Sequence, residues 1–192
     1  MPPKAKFTRE EIIEAAFQIA RTGGLDQITA RELGKKLQSS ARPIFTVFEN
    51  MEEVRAEVII RAKEVYGSYV AEGLSQELPF KGVGMAYIKF SMEEPMLFQF
   101  LFMNAVPGQS GVESILPVID DNYEDILRSV QKYVDSREAA DMIYQHLWTY
   151  THGIATMCAT GLCSYTMVQI AERLTQIFTA LMMLEKGGKI EN

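Results

Sequence analysis

Residues 39–54 read SSARPIFTVFENMEEV, setting an arginine and a proline against aromatic and β-branched side chains. At about 100° per residue, Ala41, Ile44, Phe45 and Phe48 fall on one side of a helix, and Arg42, Pro43 and Thr46 share the opposite arc. The apolar side is expected to turn inward. Proline in a first turn gives up no helical hydrogen bond, because those N–H groups lack partners in any case. Ser39 or Ser40 can cap the start. The stretch therefore reads as a short helix that offers Arg42 and Thr46 outward.

Upstream, two further helix starts precede it. Thr8 with Glu11 forms a capping box, followed by Ile12, Ile13, Ala16, Phe17 and Ala20 on one face and closed by Gly23-Gly24. Thr29 with Glu32 repeats the device, and Leu33 and Leu37 give a short second helix its buried stripe. Three short helices joined by tight turns, the last carrying Arg and Thr at its N-terminal end, describe a helix-turn-helix able to enter a major groove. Arginine can grip a guanine edge with two hydrogen bonds.

Charge distribution agrees with this placement. The whole chain of 192 residues carries −6, yet residues 1–48 carry +3, leaving −9 for the rest. A uniformly acidic protein would not coat nucleic acid, but a basic end on an acidic body can address it locally. Apolar content of 47% and charged content of 23% are those of a globular chain with a sizeable core. Cys158 and Cys163 lack the flanking ligands of a zinc site and are expected to be reduced core thiols. No signal-like segment or bilayer-length apolar run occurs, so a cytoplasmic protein without membrane contact is expected.

The segments FTREEIIEAAFQIARTGG (7–24) and ITARELGKKLQSSARPIFTVFENMEEV (28–54) together resemble the N-terminal domain of TetR-family transcriptional repressors. The likeness runs through about forty residues: Thr29 opens helix two, Leu33-Gly34 stands for the usual Ile-Ala pair, Ser40 sits in the turn, and an aromatic, Phe45, precedes Phe48 at the end of the recognition helix. Three positions depart from the family pattern. Gln38 replaces the turn glycine, Phe45 lacks the phosphate-touching hydroxyl of the usual tyrosine, and Met51 replaces the lysine that opens helix four. The resemblance implies base reading by Arg42 and Thr46 with Pro43 and Phe45 beside them, and phosphate contacts from Thr29, Lys35, Lys36, Ser39, Ser40 and a Lys4–Lys6 arm. Plain solvation is the competing reading for each lysine.

An all-α chain is expected throughout, with a helix-turn-helix domain at 1–49 and a helical effector-binding and dimerisation domain at 50–192. A long helix from Asn50 to about Gly73 follows the first domain, and Pro79 and Pro95 each suit a helix start. KFSMEEPMLFQFLFMNAVPG (89–108) has almost no polar face and is expected to be buried on nearly all sides. Asp120, Asp121, Glu124 and Asp125, on a stretch read as one helix from Val118 to Tyr133, look like a solvated face. Two strong helices close the chain, from Asp135 or Ser136 to about Thr160 and from Ser164 to Glu185. Their stripes, Ile143, Leu147, Tyr150 and Ile154 on one and Ile170, Leu174, Ile177 and Leu181 on the other, are apolar on more than one side and point to a two-fold four-helix homodimer interface.

LWTYTHGIATMCATG (147–161) resembles the C-terminal signature of one TetR subgroup, in which a Trp and a His-Gly pair lie behind an effector cavity. Trp148 and His152 stand one turn apart, and Gly153 would let another backbone come close. Tyr66, Met92, Phe98, Phe102, Tyr123, Trp148 and His152 are the candidates for lining an apolar effector pocket; core filling by Met and aromatic residues is the plainer alternative. No cofactor is implied. The resemblance implies a repressor that grips a palindromic operator on double-stranded DNA and lets go when an apolar small molecule binds. A dimeric ligand-holding module that has lost DNA binding remains open as an alternative. An enzyme is disfavoured, because no nucleophile triad, phosphate loop or metal cluster is visible and both histidines, His146 and His152, share one helix.

Overall fold

The computed structural model describes residues 6–187, so Lys4 of the expected basic arm lies outside the described residues. These form α-helices and 3-10 turns and contain no strand. Two compact units emerge: the first runs to Val65 and also takes in Glu94–Asn104, and the second comprises Tyr66–Glu93 and the chain from Ala105 onward.

In the first unit, α1 (Arg9–Gly23) opens on the Thr8 capping box and buries Ile12, Ala16 and Phe17. A 3-10 turn at Leu25–Gln27 leads to α2 (Ala30–Lys36), capped by Thr29 through the Glu32 N–H. Where a third regular helix was expected there is a single 3-10 turn, Ile44–Thr46. Thr46 Oγ1 donates to the Pro43 carbonyl at 2.7 Å, competing with helix propagation. β-Branched Ile44, Thr46 and Val47 add side-chain crowding against the same outcome. The tighter turn also swings Phe45 off the buried arc. Ile44 and Phe48 stay in the core, but Phe45 is 46% exposed, which corrects its expected inward position.

Asn50 accepts from the Glu53 N–H and so caps α3 (Met51–Leu74), which belongs to the first unit as far as Val65. The later piece of this unit is α5 (Pro95–Phe102), with proline in its first turn as expected. It packs on α1, where the Arg21 guanidinium donates through two nitrogens to the buried carboxylate of Glu94.

The second unit joins the end of α3 to α4 (Pro79–Glu93), α6 (Val112–Ile119), α7 (Tyr123–Val130), α8 (Arg137–Ala159) and α9 (Met167–Gly187). The single helix expected over 118–133 is thus two, broken at Asp120–Asn122. α4 is central, packing on α7, α8 and α9. α3 and α4 approach so closely that a β-carbon on Gly82 would lie 2.2 Å from the Gly73 carbonyl oxygen.

This arrangement claims most of the stripe expected to face a second copy. Ile143, Leu147, Ile154, Ile170 and Leu174 are buried inside the chain itself and have no surface to offer, while Tyr150, Ile177 and Leu181 are half-buried. The reason is that α4 and α9 cover the apolar side of α8 within one molecule. Gly153 is exposed with open space where its side chain would be, so no backbone of another described segment approaches it.

Candidate functional site

The first unit builds an outward face from α2, the turn after it and the 3-10 turn. α2 ends with the Ser39 N–H donating to the Gly34 carbonyl (2.9 Å) and the Gln38 N–H to the Lys35 carbonyl (3.0 Å). This bond pair is a Schellman ending, which needs a left-handed residue between. Gln38 supplies it at φ +50°. Gly34 lets the turn close in, since a β-carbon there would lie 3.1 Å from the Ser39 carbonyl oxygen and 3.3 Å from the Ala41 nitrogen.

The outcome is that Thr29, Lys35, Lys36, Ser40, Arg42, Phe45 and Thr46 are all exposed, with Ser39 and Pro43 half-buried beside them. The roles of the cations differ. Arg9 is held by Glu53 (2.9 Å) and Glu57 (2.7 Å) over the Phe48 ring. Arg55 donates to the Ile28 carbonyl and pairs with Glu52. Both brace the fold. Lys35 pairs with Glu32 at 2.7 Å, and Lys6 donates to Ser39 Oγ at 3.0 Å. Arg31, Lys36 and Arg42 are exposed and make no ion pair or hydrogen bond among the described residues. Arg31 was not singled out in the sequence; its position on α2, four residues before Lys35, was the available signal. Met51, at the place of the family's lysine, is half-buried and offers no charge.

In the second unit a polar cluster lies inside aromatic walls. Asp120, at the break between α6 and α7, is 2% exposed. Tyr66 donates to its Oδ2 at 3.0 Å and Tyr144 reaches the same oxygen at 3.5 Å; the Asn122 backbone and side-chain amides donate to Oδ1 at 2.9 and 3.2 Å. Burial raises the pKa of Asp120, opposed by these donors. Burial and then the Asp120 charge raise Tyr66, Tyr87 and Tyr144 well above their ordinary values, so all three remain hydroxyl donors. Tyr87 meets His152 Nδ1 at 2.9 Å, and Trp148 stacks on the His152 ring with centroids 4.6 Å apart. Burial lowers the His152 pKa and keeps the imidazole neutral at pH 7.

A void of about 20 Å³ adjoins Asp120, walled by Tyr66, Tyr87, Tyr144 and Trp148 among others. A second hollow of about 140 Å³ lies between α4, α8 and α9, against Phe80, Tyr133, Leu174 and Phe178. Phe80, Gly84 and Leu147 line both.

Of the residues expected at an effector pocket, Tyr66 and Trp148 therefore line the narrow void, and His152 joins it through Tyr87. Tyr123 is half-buried, with its ring 5.4 Å from that of Tyr144 and its hydroxyl on Asp141. Met92 is exposed on α4, and Phe98 and Phe102 lie on α5 in the first unit, so these three line neither hollow. Asp120 is also a correction: Asp121, Glu124 and Asp125 form the exposed acidic face, and Asp120 does not. Among the described residues, no group of His, Cys, Asp or Glu could hold a metal ion, and no helix is long and apolar enough to cross a membrane.

Comparison with solved structures places this fold. A TetR-like transcriptional regulator from Rhodococcus sp. RHA1 superposes with a TM-score of 0.61 over 94% of this chain and 96% of that one, at 14% identity. A TetR-family regulator from Mesorhizobium loti MAFF303099 gives 0.52 over 92% and 98%, at 17% identity. The fold of this chain is thus that of TetR-like regulators. Among curated proteins, the uncharacterized HTH-type transcriptional regulator YobS of Bacillus subtilis (strain 168) is 22% identical over 102 residues, 52% of this chain. That match spans about half the length of the relative, 53%. No protein-family model matches the chain.

Proposed function

We propose that this chain is a cytoplasmic, ligand-responsive transcriptional repressor that grips a palindromic operator as a homodimer and releases it when a small molecule with an apolar body binds in the second unit. The observation that carries the reading is Arg42: an exposed guanidinium without an ion pair or hydrogen bond among the described residues, on the loop leading into a short helical turn, flanked by Ser40, Phe45 and Thr46. The fold shared with TetR-like regulators supports it. Arg42 reads a guanine in each half-site, Thr46 and Phe45 flank it, and Lys35, Lys36, Thr29, Ser39 and Ser40 address phosphates. Two such faces, about one helical turn of DNA apart, give the grip that one short element lacks.

Pairing of two copies falls to the half-buried and exposed sides of α8 and α9. Tyr150, Ile177 and Leu181 remain available from the expected stripe, beside exposed Val168 and Met183. Ligand control runs through α3, which is shared by both units, and demands that the ligand prefer one of two arrangements, typically by about 1–3 kcal/mol of coupling.

Selection of bound sequences from random duplex DNA tests this. A palindrome supports the operator and the dimer together. Arg42→Ala is expected to relax preference at one base pair per half-site, by about 1–3 kcal/mol of lost discrimination. Equal loss across all bases reassigns Arg42 to phosphate, and no sequence preference at any ionic strength removes the DNA-binding reading.

A further inference from the structure

Asp120 is a buried carboxylate for which the fold supplies hydroxyl and amide donors but no cation among the described residues. A buried charge lacking a counter-ion is costly, and removing it or pairing it relieves that cost. Around it stand the rings of Tyr66, Tyr87, Tyr144 and Trp148. Aromatic faces attract a desolvated cation. A carboxylate within such a wall has the chemistry of an ammonium receptor, and neutral His152 adds no competing positive charge.

Size narrows the ligand. The void at Asp120, about 20 Å³, admits a group the size of a water molecule or an ammonium head. The adjoining hollow of about 140 Å³ is close to the size of cavities that hold benzene. Phe80, Gly84 and Leu147 form the common wall. We infer that the second unit binds a small organic amine, its ammonium on Asp120 Oδ2 within the tyrosine and tryptophan rings and its compact aryl or alkyl body in the hollow between α4, α8 and α9. The ammonium takes over the weakest existing contact, that of Tyr144 at 3.5 Å, as a charge-assisted hydrogen bond. This deepens the regulator reading by naming the class of its effector, and it rests on that reading only for its consequence on DNA.

Trp148 is the sole tryptophan and lines the void, so its fluorescence reports binding directly. The probes are 2-phenylethylamine, 2-phenylethanol and 3-phenylpropionate, titrated at pH 7 into the full chain without DNA. The amine is expected to bind at least tenfold more tightly than the alcohol, the carboxylate to bind most weakly, and Asp120→Asn to bring the amine down to the level of the alcohol. No response to the amine, equal affinity for the alcohol, or an unchanged amine affinity in Asp120→Asn overturns the inference. If that variant does not fold, the amine-to-alcohol ratio in the native chain decides alone. Amine binding by a chain that selects no DNA sequence sinks the regulator reading and leaves this site standing; selection of DNA without amine preference does the reverse.

Discussion

Gln38 occupies a left-handed backbone conformation that L-residues adopt at a cost of roughly 1–2 kcal/mol, and it is the only non-glycine residue with positive φ among those described. Gln38→Gly removes that strain and gives back part of the gain as unfolded-chain entropy. A net stabilisation of about 0.5–1 kcal/mol is expected from denaturant unfolding; a loss would mean that the glutamine side chain holds the turn. The turn itself was legible in the Gln38-Ser39-Ser40 break, and the resemblance marked Gln38 as standing for a turn glycine, although glutamine by itself carries no left-handed preference. Asp120 was misread for a different reason. Its neighbours in sequence are acidic and solvated, whereas its burial is imposed by Tyr66, 54 residues earlier. Burial raises the Asp120 pKa, so the folded chain holds that proton more firmly than the unfolded one, and stability falls as pH rises from the unfolded value of 3.8 through the folded one. Asp120→Asn is accordingly expected to be more stable than the native chain at pH 7, with the advantage shrinking toward pH 3.5 in thermal melts. His152 acts with the opposite sign, its lowered pKa costing stability as pH falls below 6.5.

At the scale of elements, caps and periodicity located most helix starts but not α6, the break at Asp120–Asn122 or the 3-10 form of Ile44–Thr46. Thr8, Thr29, Asn50, Ser136, Pro79 and Pro95 begin or precede helices as their chemistry demands. What a helix meets on its apolar side was not legible, since a stripe of Ile and Leu fits a neighbour in the same chain as well as a second copy. That is why the α8 and α9 stripe was assigned outward although α4 covers it. The close crossing of α3 and α4 left only a faint trace, two glycines nine residues apart. Gly82→Ala forces a methyl group into the Gly73 carbonyl, a contact of backbone on backbone that no rotamer can relieve. A destabilisation of about 1–3 kcal/mol is expected from such overpacking, measurable as a lower urea midpoint. Gly67→Ala on the same α3, with no described atom outside its own helix backbone within 4 Å of the added carbon, serves as control and should be neutral or better.

At the scale of the whole molecule, the basic end and acidic body were readable from composition, and the fold class followed from the capped helical run. Neither gives the strength of a DNA contact. Among the described residues, Arg31, Lys36 and Arg42 of the first unit are exposed without an ion pair while several other cations are committed to carboxylates, so the proposed DNA contact is expected to have a modest electrostatic component. Lys36→Ala is expected to weaken DNA binding evenly across sequences and to reduce the slope of log affinity against log salt by about one. An unchanged slope in fluorescence anisotropy would place Lys36 off the phosphates.

The first unit is built from two stretches separated by 28 residues of the second, with Glu94 on the late stretch receiving Arg21 from the early one. Transplanting the first unit onto another protein of this fold by a single splice at residue 65 would leave α1 without α5 and would ask the host's own sequence to complete a foreign core. A working chimaera must carry Glu94–Asn104 along with the N-terminal segment, so this unit is exchangeable in two linked pieces, not one.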